Sequence, residues 1–402
     1  MILKTIFLLI SKSRLISGCP EVVSLMKDNN IQAFYALVKA GLWEKETLLS
    51  QYNEINYEAI MEMAEEQSVI GLVTAGIEKV QDVQKFKSSS IPKEWSLQFI
   101  GQTLQIEQQN KDMNLYLARL IEKLRKADVY AVLVKGQGIA QCYKEPFWRS
   151  SGDIDLLLSD TNYKKAKQVL MPLAVSVDKE YTSFKHLGMT MEGGYVVELH
   201  GTMHSRLSRR VDRVIDEAQR DIFYGGNVRS WNNSNTTVFL PSPDNDVIII
   251  FTHILRHFFF EGIGLRQICD WCRLLWTYRD SLNRGLLESR IKKAGLMSEW
   301  RAFGAFAVEY LGMPTEAMPL YSDNAKWSRK ASQICIDVLK VGNFGHKHRR
   351  DYSGMSYLWR KFVSFWGRLS DILRHFSIFP NDSIVFFGGV LRSGLHAAVR
   401  GE

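Results

Sequence analysis

The first part of the chain carries a helical pattern of apolar positions. Residues 58–80 and 95–124 place apolar side chains three and four positions apart among charged ones, which is typical of amphipathic helices. These residues do not show the alternation of apolar and polar positions that is typical of a strand. The pattern therefore predicts a helical N-terminal region over residues 1–115.

Strand-like runs then begin to alternate with helical ones. Residues 129–134 form a short β-branched run that stops at a glycine-containing turn, and residues 139–144 are compatible with a helix. A second strand is expected at 154–158, followed by an amphipathic helix over 163–173. This order indicates a mixed α/β unit.

Two further strands are expected at residues 186–192 and 195–200. Gly193-Gly194 lies between them, which favours the two-residue connection of a tight hairpin. Residues 232–237 and 241–243 are rich in turn formers and are expected to mark the end of the core, beyond which the pattern is helical again.

The predicted fold class is α+β. We expect a small mixed sheet with helices over residues 116–240, between helical regions at 1–115 and 241–402. A chain of 402 residues is long enough for two or three packed units.

Composition adds a weak preference for anionic partners. Hydrophobic residues make up 46% of the chain and charged residues 23%, as in ordinary globular proteins, and the formal charge of +8 favours phosphate-bearing ligands. The five cysteines are scattered and odd in number, which is typical of a reducing compartment, so the cytoplasm is expected.

The N-terminal stretch resembles a lipoprotein cleavage box only superficially. Ile16-Ser17-Gly18-Cys19 follows an apolar start, but Lys12 and Arg14 interrupt that start, so we do not expect export. No uncharged apolar run approaches the roughly 18 residues that a membrane-spanning helix requires, and no transmembrane segment is expected.

Two aspartates stand at the beginning of the second expected strand. Asp153 and Asp155 are two positions apart, so strand alternation directs both side chains to one face while Ile154 and Leu156 face the core. Adjacent carboxylates repel each other, and a shared proton or a divalent cation relieves the repulsion. Oxygen ligands of this kind favour Mg²⁺ or Mn²⁺.

Glu198 and His200 repeat the spacing on a later strand, whose buried face carries Tyr195, Val197 and Leu199. If the two strands are neighbours, Glu198 adds a third carboxylate to the metal site. Three carboxylates could hold one or two cations that act on a phosphoryl group.

The turn Lys135-Gly136-Gln137-Gly138 is a candidate phosphate site. Glycines allow the backbone to approach a phosphate, and free N–H groups at a helix start point toward it. Lys135 and Arg149 could each neutralise phosphate charge or serve as a structural ion-pair partner.

These motifs together resemble bacterial nucleotidyltransferase-fold proteins of the DNA polymerase beta type. The resemblance rests on Lys135-Gly136, Tyr143, Arg149, Gly152-Asp153-Ile154-Asp155-Leu156-Leu157 and Val197-Glu198-Leu199-His200, and is strong over about residues 116–200. It implies that Gly136 lies at the triphosphate, that Asp153 and Asp155 bind Mg²⁺, and that Glu198 completes the site. The superfamily usually has Gly-Ser or Gly-Gly at the phosphate turn, whereas Gln137 follows Gly136 here.

The resulting hypothesis is a metal-dependent nucleotidyltransferase that moves a nucleoside monophosphate from a nucleoside triphosphate to an unknown acceptor. Asp153, Asp155 and Glu198 are the expected catalytic and metal-binding residues. The expected nucleotide contacts are Lys135, Gly136, Gln137, Gly138, Arg149 and His200. The alternative is a non-catalytic module that keeps the fold to bind a nucleotide, or to dock a membrane or partner.

Other motifs allow weaker interpretations. His253 and His257 share a helix face and could bind zinc with Cys269 and Cys272, but packing in the core or along the cleft is preferred. Asp270, near Arg266, is expected to be a buried partner.

The basic run at 345–350 and the aromatic, basic segment 359–379 leave contact with nucleic acid or a membrane surface open. Solvated or self-packing helices are the preferred interpretation.

Overall fold

The computed structural model describes residues 27–80, 91–180, 185–342 and 375–385. The expectations for the N-terminal cleavage box, for the basic run 345–350 and for most of the segment 359–379 lie outside these ranges.

The described helices and strands follow the order that the sequence pattern predicts, with additions. In chain order they are α1 (Asn29–Trp43), α2 (Tyr57–Glu66), α3 (Ile70–Ile77), α4 (Lys93–Lys126), β1 (Val132–Val134), α5 (Gly136–Ala140), β2 (Asp153–Leu157), α6 (Asp160–Leu170), β3 (Ala174–Val177), β4 (His186–Met191), β5 (Val196–His200), α7 (Arg209–Phe223), β6 (Val228–Asn233), β7 (Thr236–Pro241), α8 (Pro243–Phe260), α9 (Leu265–Thr277), α10 (Arg284–Ala294), α11 (Met297–Glu309) and α12 (Ala325–Val341).

The strands form one mixed sheet in the order β3-β4-β5-β2-β1-β7-β6. Strand β2 lies in the middle, parallel to β5 and antiparallel to β1. The fold is α+β, as the sequence predicts. Among the described residues, no helix combines the length and the apolar character needed to cross a bilayer.

Two expectations about the turns are wrong. Met191 N–H donates to the Tyr195 carbonyl oxygen, so the β4–β5 hairpin closes over the three residues Glu192–Gly194, a 3₁₀ turn, and His186 pairs with His200. Residues 232–237 do not end the sheet, because they form the tip of a second hairpin, with the turn at residues 234–235 between β6 and β7, and β7 pairs with β1. Ser234, with φ +55°, supplies the left-handed residue at that turn, and Val228, Thr236, Thr237 and Val238 favour the strands.

The two faces of the sheet pack differently. Ile154, Leu156, Val197 and Leu199 belong to a core that includes residues of α4 and α6. On the other face, Leu157 packs with residues of α7 and α8. The acidic side chains of β2 share that second face, because strand side chains alternate.

The helices at the two ends of the chain share one core. Buried residues of α1 and α3 belong to the same apolar cluster as those of α8, α9, α11 and α12. Helix α4 runs without interruption across residue 115. The division at residues 115 and 240 into three units stays a prediction, and the structure adds that both helical ends pack together.

Close helix packing holds the loop that leads to β2. A Cβ at Gly41 or Gly76 would lie 2.0 Å from a backbone oxygen of the facing helix, so α1 and α3 touch backbone to backbone. A Cβ at Gly71 would lie 2.1 Å from the Trp148 carbonyl oxygen. From the other side, the Asn110 amide donates to the carbonyl oxygens of Phe147 and Arg149 at 2.6 and 2.8 Å. These contacts fix the segment before Asp153.

We expect Gly76→Ala to destabilise the protein by about 2 kcal/mol, because the new methyl group would meet the rigid Leu37 carbonyl and push α1 away from α3. The matched control is Gly101→Ala in α4, where a Cβ meets nothing within 4 Å. The free energy of unfolding of that variant should rise by up to about 1 kcal/mol, because alanine has a higher helix propensity than glycine. Chemical denaturation of the full chain measures both values. Equal effects of the two substitutions would contradict the close packing.

Candidate active site

The register of β2 and β5 brings the three predicted carboxylates together. Asp153 lies opposite Val196, Asp155 opposite Glu198, and Leu157 opposite His200. In neighbouring parallel strands, paired residues point to the same face of the sheet. Asp153, Asp155 and Glu198 therefore each offer an oxygen atom within 4.8 Å of the other two.

Lys135 reaches the carboxylates from a strained turn. Its φ of +60° is unusual for a residue other than glycine, and Gly136 follows with φ +39°, a backbone region that favours glycine. The turn directs the Lys135 ammonium to Asp155 Oδ1 at 2.8 Å. Burial opposes the lysine charge, but Asp155, Asp153 and Glu198 outweigh burial and raise the pKa of Lys135.

Asp153 is compensated only in part, by the charges of Lys135 and Arg266, which are not bonded to it. The nearby Asp155 charge and then burial raise the pKa of Asp153 to about 6. In the described part of the chain, no side chain or backbone group forms a hydrogen bond or ion pair with its carboxylate. A cation bound beside this unpaired carboxylate would stabilise its charged form.

Two histidines surround Glu198. His186 Nε2 lies 3.1 Å and His200 Nε2 lies 3.3 Å from Glu198 Oε2, and His200 Nε2 is also 2.7 Å from Asp155 Oδ1. Burial alone would raise the pKa of Glu198, but hydrogen bonds to these histidines lower it well below its usual range. For His200, burial is outweighed by its two carboxylate partners, which raise the pKa of the imidazole. His186, Glu198 and His200 also form a possible nitrogen- and oxygen-containing metal site.

Arg149 is an ion-pair partner of the C-terminal helices. Its Nη2 lies 2.6 Å from Asp270 Oδ2, its Nε donates to Asp270 Oδ1 at 3.1 Å, and the Tyr143 hydroxyl donates to the same Oδ1 at 2.8 Å. Asp270 lies on α9, so this buried group ties the segment before β2 to the helical layer. Of the two roles expected for Arg149, the geometry provides the structural one.

These side chains face a cavity of about 330 Å³ between the sheet and helices α8 and α9, hereafter the central cavity. Five of the six histidines in the described ranges line it, together with acidic and basic groups from both sides. The histidines are His186, His200, His204, His253 and His257. His253 and His257 thus face the cleft, whereas Cys269 and Cys272 are buried in the apolar core.

The structure separates the predicted nucleotide contacts into two groups. Lys135, Gly136, Arg149 and His200 line the central cavity, whereas Gln137 and Gly138 are not part of its lining. The Gln137 amide is buried, with Nε2 3.3 Å from the Asp153 carbonyl oxygen. A Cβ at Gly138 would lie 2.7 Å from Leu240 Cδ2, so this glycine permits close packing of α5 on β7. Any contact of these two residues with a phosphate would have to come from the backbone.

His186 and Arg266 are among the residues of the site that were not found from the sequence. His186 faces Glu198 only because the hairpin loop has three residues, and the only available signal was the register of that hairpin. Arg266 lines the cavity from the first turn of α9, and its spacing from Asp270 was the only hint of its position.

A comparison with known proteins identifies the family of the chain. The profile of a family described as uncharacterised nucleotidyltransferase matches residues 53–312. The chain belongs to this nucleotidyltransferase family. The resemblance seen over residues 116–200 is thereby confirmed, and the family match extends beyond it into helices on both sides.

One solved structure is similar to this chain. An antigenic nucleotidyltransferase-like protein from Paracoccidioides brasiliensis shares 15% sequence identity with a TM-score of 0.30, and the match covers 50% of this chain and 92% of the other. No functionally curated protein matches the sequence.

The raised pKa of Asp153 predicts a pH-dependent loss of stability in the protein without bound metal. Between the ordinary value of 3.8 and about 6, the folded state binds more protons at Asp153 than the unfolded state does. The free energy of unfolding therefore falls as the pH rises through that window. We expect Asp153→Asn to remove this pH dependence. The free energy of unfolding of the variant, relative to that of wild type, should therefore rise by up to about 3 kcal/mol between pH 4 and pH 7.

Urea denaturation in the presence of a chelator, at pH 4 and pH 7, measures this difference. Glu192→Gln, which changes an exposed carboxylate in the same β4–β5 hairpin, serves as the control and should show no such gain. A stability difference between wild type and Asp153→Asn that is the same at both pH values would show that Asp153 is not electrostatically strained.

Proposed function

We propose that the protein transfers a nucleoside monophosphate from a nucleoside triphosphate to an acceptor, with Mg²⁺ or Mn²⁺ held by Asp153, Asp155 and Glu198. The observation that carries the proposal is the meeting of three carboxylate oxygens within 4.8 Å at a cavity. The nucleotidyltransferase family match supports the reaction class.

The donor set fits a hard divalent cation. All three ligands are carboxylates, and the Asp153 carboxylate makes no ion pair with the described residues. When bound, the cation would neutralise charge on the phosphoryl oxygens and make the reacting phosphorus more electrophilic. Mg²⁺ is the expected ion, and Mn²⁺ fits the same ligands.

The side chains around the carboxylates have distinct roles in this proposal. His186 and His200 orient the Glu198 carboxylate, which either completes the metal site or accepts the proton of the acceptor. Lys135 neutralises Asp155 and places a positive charge next to the phosphates. Gly136, at a backbone conformation suited to glycine, lets the chain approach the phosphate closely.

A second function is favoured by one observation. The Lys135 ammonium already lies 2.8 Å from Asp155 Oδ1 and could take the place of a cation. In that case the protein would bind a nucleotide without transferring it. The two functions differ in one measurable outcome, because only a transferase releases pyrophosphate.

We expect the wild-type protein to consume a nucleoside triphosphate in the presence of Mg²⁺. The double variant Asp153→Asn with Asp155→Asn, and the single variant Glu198→Gln, should each reduce turnover on the order of 100-fold or more, because each removes metal ligands. The assay combines the four α-labelled triphosphates with a cell extract as the source of acceptors. Pyrophosphate and labelled products are both quantified.

Glu192→Gln is again the control, since its carboxylate is exposed on the neighbouring turn. Triphosphate binding without pyrophosphate release would favour the binding module. The transferase proposal fails if wild type and the double aspartate variant give the same product yield.

A further inference from the structure

Three arginines lie on the wall of the central cavity: Arg149, Arg256 and Arg266. Arg256 has Glu261 as an ion-pair partner at 4.0 Å, and Arg149 is fully engaged. Its Nε and Nη2 donate to the Asp270 carboxylate at 3.1 and 2.6 Å, and its Nη1 donates to the Ser150 carbonyl oxygen at 3.0 Å and to Ser151 Oγ at 3.2 Å. All three nitrogens are therefore occupied. Binding a ligand would require Arg149 to leave a buried carboxylate unpaired, which is costly.

Arg266 is the opposite case. Its Nη1 donates to the Ser150 carbonyl oxygen at 3.0 Å, but its buried Nε has no hydrogen-bond partner. Within the described residues, no carboxylate lies at ion-pair distance from this guanidinium. Nε and Nη2 form one edge of the planar group, so a two-pronged donor remains available.

The position of Arg266 is fixed by its backbone. The N–H groups of Leu265 and Arg266 donate to Gln67 Oε1 and to the Gln67 carbonyl oxygen at 2.9 and 3.3 Å, and Gln67 is buried at the end of α2. The Ser150 carbonyl that holds the side chain lies three residues before Asp153. Arg266 therefore lies on the cavity wall next to the start of β2.

Arg266 has no carboxylate partner of its own on this wall. Asp270 is paired with Arg149, and Asp153 acts on Arg266 only through space, without an ion pair. Burial first, and then the nearby Arg149 charge, lower the pKa of Arg266 to about 10. An anion next to Arg266 would relieve both penalties.

We infer that Arg266 binds the non-transferred phosphates of the triphosphate, a role that the sequence pattern suggested for Arg149. The free Nε–Nη2 edge matches two oxygens of one phosphate. The inference rests on the proposed function, since it names the part of that site that holds the polyphosphate tail. The ligand chemistry is a polyphosphate, recognised apart from its base and sugar.

Titration calorimetry with Mg²⁺ and inorganic tripolyphosphate tests this assignment on the full chain, with the four nucleoside triphosphates as a second set of ligands. We expect Arg266→Met to weaken binding about 10- to 100-fold, because a charged, two-pronged hydrogen bond is lost. Arg266→Lys should fall between wild type and Arg266→Met, because it keeps the charge but not the fork.

Arg301→Met is the matched control. Arg301 is another partly buried arginine whose Nε lacks a partner, but it packs on Trp327 outside the central cavity. This variant should bind tripolyphosphate within about twofold of wild type, on the order of the error of such a measurement.

Chemical labelling of the wild-type protein gives a readout that does not depend on how the variants fold. Phenylglyoxal should modify Arg266 more slowly when Mg²⁺ and tripolyphosphate are present, while labelling of Arg301 stays unchanged. Wild-type affinity in Arg266→Met, or Arg266 labelling that tripolyphosphate does not slow, would overturn this inference alone. Failure of the wild type to bind tripolyphosphate and every nucleoside triphosphate would overturn the proposed function with it.

Discussion

The pairing of β2 with β5 is the constraint on which the site depends. Because Asp155 lies opposite Glu198 in a parallel register, the strands force like charges onto one face. Strand β2 is central, with β5 on one side and β1 on the other, so both of its edges are hydrogen-bonded. A slip by one residue would turn Ile154 and Leu156 out of the core. The apolar face of the sheet thus holds the acidic face in place.

The repulsion between these carboxylates is balanced unevenly. Asp155 has Lys135 and His200 as partners, and Glu198 has His186 and His200, whereas Asp153 has no ion-pair partner in the described ranges. The electrostatic repulsion that remains is therefore largest at Asp153, the first residue of β2. A divalent cation is the simplest group that would neutralise Asp153 and contact all three acids, and it would compete with Lys135 for Asp155.

Local periodicity was sufficient to predict the carboxylate site but not its surroundings. Strand alternation placed Asp153, Asp155 and Glu198 on one face, and that geometry is present. The loop between β4 and β5 could not be settled in the same way. Two central glycines fit a two-residue turn as well as the observed three-residue one, and the difference of one position decides that His186 faces Glu198.

The arginines show a different limit. Arg149 lies close to Asp153 in sequence, but its partner Asp270 follows 121 positions later, so only tertiary packing could reveal that its charge is already used. The central cavity is accordingly built from two unlike walls. The sheet supplies the acids that suit a cation, and α9 supplies an arginine with unused donors, held at its backbone by Gln67. A metal-bound polyphosphate carries both kinds of charge in one ligand, and it would match both walls at once.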